Sequence, residues 1–190
     1  MDLRDQNDKW VLQLTISEEL WKKTQIATKS NVISLLISAR ALVTTIKSPA
    51  DHPNSMAQVC AGLYTYALEE YGKLLYLLEC KPENGEVVIE YRRKFRNHDF
   101  KIEKAASVLP QECLRMHTGA FLPGPGNFKG GTGNFDVHID ADLATRLLIF
   151  HTDFRDDGMV VESPPTVDVP LLDNAISTLD TIVHDFELKR

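Results

Sequence analysis

Residues 55–80, SMAQVCAGLYTYALEEYGKLLYLLEC, decide how this chain is read. Val59, Leu63, Tyr66, Ala67, Leu74 and Leu77 recur at helical spacing, which predicts a helix from about Ser55 to Cys80 with one apolar side. Glu70 falls between Ala67 and Leu74 in the same progression, so its carboxylate is expected to point inward. A carboxylate in an apolar interior is costly unless it is paired or hydrogen-bonded. The helix therefore has to meet a polar partner somewhere else in the chain.

Downstream, Lys81-Pro82-Glu83-Asn84-Gly85 reads as a turn. A helix is predicted from about Glu86 to Val108, stopped near Pro110, with Val88, Tyr91, Phe95, Ile102, Ala106 and Leu109 on its apolar side. His98 lies between Phe95 and Ile102 at spacings of three and four, so it is expected to turn inward. Either Glu70 meets His98, or Lys73 or Lys101 reaches Glu70. A buried polar tie fixing the register of two helices is the plainer meaning of this pattern. A proton-transfer site is the sharper one.

The same segment is basic within an acidic protein. Tyr91-Arg92-Arg93-Lys94-Phe95-Arg96-Asn97-His98-Asp99-Phe100-Lys101 stands in a chain of net charge -6. That balance argues against coating duplex nucleic acid by charge alone and leaves room for a local basic patch. On one continuous helix, Arg92 or Arg93 and His98 would be about one and a half turns apart, on adjoining faces. A guanidinium and an imidazole so placed suit a phosphodiester: the cation holds the phosphate and the imidazole moves a proton from a ribose hydroxyl.

Outward from these segments the chain reads as helical. The first sixteen residues are expected to be an irregular lead-in. Ser17 followed by Glu18 and Glu19 starts a helix through Val32, Leu35, Leu36, Ala39, Leu42, Val43 and Ile46, ended by Ser48-Pro49. Residues 119–136 are glycine-rich and are expected to be a long flexible loop. A shorter helix is predicted from about Asp140 to Phe154, and Met159 to Glu162 as an extended piece. A last helix is capped by Asp168, with Pro170 in its first turn and Leu171, Leu172, Ile176, Leu179, Ile182, Val183 and Phe186 as its stripe. Several long helices without alternating strands predict an all-α helical bundle, residues 1–190 forming one domain.

The 190 residues are 43% hydrophobic and 25% charged, which excludes wholesale disorder. The charged N-terminus and the short apolar runs predict neither a secretory signal nor a membrane span, hence a cytoplasmic protein without membrane contact. Cys60, Cys80 and Cys113 form no C-x-x-C pair, and His117, His138 and His151 lack metal-ligand spacing, so no metal and no cofactor is expected. No P-loop string, Glu-x-x-His pair or serine or cysteine nucleophile signature occurs.

The string Cys60-Ala61-Gly62-Leu63-Tyr64-Thr65-Tyr66-Ala67-Leu68-Glu69-Glu70-Tyr71-Gly72-Lys73 resembles a signature of the AbiV-type abortive infection proteins. Phe95-Arg96-Asn97-His98-Asp99-Phe100-Lys101-Ile102 is similar to that family's Phe-x-x-His-x-x-Lys segment. Arg146 to Phe154, followed by Gly158 and Ser163-Pro164-Pro165, is a looser likeness to its C-terminal part. The resemblance spans roughly residues 30 to 175. It implies a helical phage-defence protein that arrests growth or translation, related to the HEPN helical superfamily. Many members of that superfamily are metal-independent ribonucleases using an Arg, four to six residues, then a His, often completed across a homodimer. By this reading His98, Arg93, Arg92 and Glu70 are the catalytic candidates, and Lys73, Lys101, Arg96 and Glu69 are candidate binding residues. RNA, or a phage or host protein bound by a non-catalytic dimer, are the expected partners.

Overall fold

The structure is a computed structural model and describes residues 13–46, 55–115, 153–154, 161–162 and 167–186. In chain order come β1 (Leu14–Ser17), α1 (Glu18–Thr45), α2 (Ser55–Glu79), β2 (Glu86–Ile89), a π-helical turn (Tyr91–Phe95), α3 (His98–Ala106), a 3-10 turn (Gln111–Leu114), β3 (Asp153–Phe154), β4 (Val161–Glu162) and α4 (Val169–Asp185). The described residues are mostly helical, as the sequence predicts. The glycine-rich stretch 119–136 and most of the helix expected over 140–154 lie outside the described residues.

The helix ends follow local chemistry. Ser17 accepts a hydrogen bond from the Leu20 amide at 3.2 Å, with Glu18 and Glu19 in the first turn of α1. Asp168 accepts from the Leu171 amide at 2.9 Å and Pro170 occupies the first turn of α4. At the other end of α4, Lys29 donates to the Phe186 carbonyl at 2.5 Å, satisfying an acceptor the helix leaves orphaned.

The core forms around α2. Val32, Leu36, Ala39 and Val43 of α1, and Leu172, Ala175, Ile176, Leu179 and Val183 of α4, close on Cys60, Ala61, Tyr64, Ala67, Leu68 and Tyr71. Each fully buried Leu here contributes about 2 kcal/mol of transfer free energy. The buried Tyr64 hydroxyl donates to the Cys113 carbonyl at 2.7 Å, fastening the 3-10 turn to the same core. α1 is long and apolar enough by composition to cross a bilayer, but its buried line is used in this core.

Three expectations are overturned here. The lead-in is not irregular throughout: Leu14–Ser17 is a strand, antiparallel to β2 with Leu14 opposite Ile89 and Ser17 opposite Glu86. The helix expected from Glu86 to Val108 is three pieces. Asn84 (φ 53°) and Gly85 (φ 81°) make a two-residue left-handed turn, so that Glu83 and Glu86 exchange backbone hydrogen bonds. The Gly85 carbonyl then accepts from the Glu18 amide at 2.8 Å, docking the turn on the start of α1. Val87 and Ile89 are buried while Glu86 and Val88 are exposed, the alternation of a half-buried strand. Asp153–Phe154 pairs with Val161–Glu162 as a short strand, so the predicted helix does not extend to Phe154.

Candidate functional site

α2 is buried along two lines. The first is the apolar core line. The second is Thr65, Glu69, Gly72 and Tyr76, spaced four, three and four. This second line faces α3, and Gly72 explains how close the two helices come. A Cβ built on Gly72 would lie 1.7 Å from the Lys101 carbonyl oxygen. Only a residue without a side chain permits that crossing.

The acid that meets the imidazole is therefore Glu69, not Glu70. Glu69 is 2% exposed. Its Oε2 takes His98 Nδ1 at 2.5 Å and Lys101 Nζ at 3.2 Å. Lys101 is 5% exposed. His98 and Lys101 are three residues apart on α3, so one turn brings both to the same carboxylate. An ionised carboxylate only accepts, so Nδ1 carries the proton and Nε2 of a neutral ring carries the lone pair.

His98 does not point into the core. Asn97 caps α3 by accepting from the Phe100 amide at 3.1 Å, which makes His98 the first helical residue, its side chain 49% exposed. The ring lies at the rim, its Nδ1 reaching in to Glu69. Glu70 forms an ion pair with Lys73 within α2, both side chains 17% exposed, which is one of the pairings the sequence allows. Lys101, expected as a partner for Glu70, serves Glu69 instead.

Arg92 and Arg93 do not share a helix with His98. They belong to the π-turn, where the Phe95 amide bonds the Glu90 carbonyl at 3.1 Å and the Arg96 amide the Tyr91 carbonyl at 2.8 Å. Arg96 and Asn97 separate this turn from α3. Side chains hold the turn in place. The Tyr76 hydroxyl accepts from the Glu90 amide at 2.7 Å, Lys94 pairs with Glu90 at 2.6 Å, and Lys73 sits 5.3 Å from the Phe95 ring centre. Arg92, Arg93 and Arg96 are left exposed beside His98 in sequence, with Arg96 6.0 Å from the Tyr91 ring centre.

Sequence reasoning put Glu69 in the binding set but missed it as the partner of His98. Two signals carried it: the Thr65–Glu69–Gly72–Tyr76 spacing, and Asn97 as a helix cap followed by Asp99. Among the described residues, no group of three His, Cys, Asp or Glu side chains converges as metal ligands would.

The three cysteines are free. Burial, reinforced by the Asp173 charge, pushes the Cys60 thiol up to about 12, and burial pushes Cys113 up to about 11. Neither forms appreciable thiolate near neutral pH. Titration of the folded protein with an aromatic disulfide reagent at pH 8 is expected to modify Cys80 alone and slowly, since burial raises that thiol too. All three should react after denaturation. Rapid modification of Cys60 in the folded state would contradict its placement.

Compared with family models, curated proteins and solved structures, the chain matches none.

Proposed function

We propose that this chain is an RNA-directed effector of the abortive infection kind, a HEPN-like ribonuclease in which His98 transfers the proton. The observation that carries the reading is the half-exposed imidazole held through Nδ1 by a buried carboxylate. Such a partner fixes the tautomer and ring orientation and stabilises the imidazolium that forms. Nε2 takes the proton of a ribose 2′-hydroxyl, whose oxygen attacks the adjacent phosphorus. The bond to the 5′-oxygen breaks and that oxygen receives the proton, leaving a cyclic 2′,3′-phosphate and a 5′-hydroxyl. Arg92 and Arg93 supply the cations for the phosphate, with Arg96 alongside. Phage defence, and a homodimer completing the site, are what the resemblance to AbiV-type and HEPN proteins implies.

A second reading has its own observation. Glu69 also neutralises the buried Lys101, across the Gly72 crossing. A tie of that kind holds α2 to α3 whether or not chemistry occurs at its rim. In this reading the chain is a non-catalytic dimeric module that binds a phage or host protein.

The readings separate on purified protein and total RNA or tRNA with chelator present. Cleavage by the wild type with cyclic-phosphate ends, reduced about 100-fold or more in His98→Ala, is the result expected of the ribonuclease. His98 is at the rim, so the variant should keep its melting temperature within a few degrees. An inert wild type, or equal cutting by His98→Ala, leaves the binding module.

A further inference from the structure

Arg92 and Arg93 belong to one element and His98 to another, so a ribonuclease site needs something to hold the two in register. The π-turn and α3 are joined at Asn97, whose ψ of 117° is extended, while Arg96 before it is helical at φ -94° and ψ -15°. A single non-helical residue between two helical pieces can absorb a large change of angle. The register has to come from side chains packed across the junction.

Tyr76 is placed to supply it. It stands on the line of α2 that also carries Glu69 and Gly72, and it is 5% exposed. Its ring meets α3: Phe100, two residues after His98, packs against it edge-on with ring centres 5.6 Å apart. Its hydroxyl meets the start of the turn, accepting from the Glu90 amide at 2.7 Å. Lys94 of the turn covers both rings, 5.7 Å from the centre of Tyr76 and 5.9 Å from that of Phe100. Ring and hydroxyl have different tasks. The ring belongs to the small apolar cluster with Leu77, Val87 and Ile89, and the hydroxyl reaches past it to the turn. Glu69 and Tyr76 are seven residues apart, about two turns and about 10 Å along one face of α2. One helix thus carries both anchors, Glu69 for the imidazole and Tyr76 for the turn with the arginines.

We infer that Tyr76 is a positioning residue of this site, its hydroxyl holding the arginine-bearing turn in register with the imidazole on α3. The inference rests on the ribonuclease reading and adds to it a group that does not touch RNA. A guanidinium displaced by about an ångström no longer meets the charge that develops on the phosphate, although it still attracts the strand. Loss of the hydroxyl therefore acts on the chemical step and leaves binding nearly as it was.

The test is Tyr76→Phe in the full chain, which keeps the ring and removes only the hydroxyl. Hydrogen–deuterium exchange read by mass spectrometry is expected to quicken about tenfold across residues 90–96 and to stay unchanged across 101–106. Cleavage of an oligoribonucleotide should lose about tenfold or more in kcat, with KM within about twofold of the wild type. In an Arg92→Gln/Arg93→Gln background the same substitution should lower kcat no further, because the groups it aligns are already gone. Tyr64→Phe strips a buried hydroxyl from the main core and should leave both the exchange of the turn and kcat as they are. Thermal melting of each variant gives the folded fraction to which kcat is referred. An active wild type whose kcat is unchanged by Tyr76→Phe overturns the inference alone. So do equal losses with and without the arginines, or exchange that quickens equally in the turn and in α3, since both describe a general loosening. A wild type that leaves RNA intact overturns the ribonuclease reading and takes the inference with it.

Discussion

Replacing Gly72 with alanine is expected to lower the free energy of unfolding by about 3 kcal/mol or more. The added Cβ would stand 1.7 Å from the Lys101 carbonyl oxygen, far inside any contact distance. The obstacle is backbone, so no rotamer change relieves it, and α3 has to move away from α2. That movement separates Glu69 from Lys101 and His98, adding an electrostatic loss to the steric one. Ordinarily Gly→Ala inside an exposed helix stabilises by about 1 kcal/mol through propensity, so here the sign itself is diagnostic. Urea denaturation should show the loss, and the melting temperature should fall by about 10 °C for a chain of this size. A variant as stable as the wild type would mean that the helices do not cross at this residue.

The helical character of the chain was legible because α1, α2 and α4 combine caps, period and breakers that agree with one another. Ser17, Asp168 and Pro170 each do locally what the residue type favours, and the structure uses them so. The segment from Glu86 to Val108 failed for an identifiable reason. Its apolar residues satisfy a period of 3.6 when read over the whole stretch, yet Val87 and Ile89 satisfy a period of two over the first four residues. The Asn84-Gly85 pair should have tipped the balance, since that dipeptide favours a tight hairpin turn. The strand partner, Leu14–Ser17, gave little warning in a four-residue piece beside a polar lead-in.

The site was legible in its chemistry and misread in its register by one residue. A central helix with two buried lines shows apolar residues on most of its circumference, so the choice between Glu69 and Glu70 could not be made from Leu63, Ala67, Leu74 and Leu77. Leu63 is only half-buried, while Val59 and Tyr66, assigned to the apolar side, are 44% and 45% exposed. What distinguishes the two acids is the small residue three positions after Glu69, which marks where another helix approaches most closely. Similarly, Arg92, Arg93 and His98 were placed on one helix because nothing but Asn97 interrupts them, and Asn97 proves to be the cap.

The pairing of Glu69 with Lys101 makes the second large prediction. Glu69→Leu leaves an ammonium group buried without its counter-charge, and Lys101→Met takes the ammonium away from a buried carboxylate; each is expected to cost about 3–5 kcal/mol. The double variant Glu69→Leu/Lys101→Met removes both charges and replaces them with apolar side chains of similar length. It should recover most of the loss, costing no more than about 2 kcal/mol itself, which corresponds to a coupling energy of about 4 kcal/mol or more in a double-mutant cycle. His98→Ala, at a half-exposed position, should cost less than about 1 kcal/mol. The cycle thereby divides architecture from chemistry. If the double variant refolds to near wild-type stability and still cuts RNA at the wild-type rate, the carboxylate only holds the helices together, and His98 needs no partner. If stability returns while cleavage falls to the level of His98→Ala, Glu69 orients the imidazole, because the helix packing has been restored without it. Additive losses in the two single variants would show that the carboxylate and the ammonium do not interact, and the seam between α2 and α3 would need another explanation.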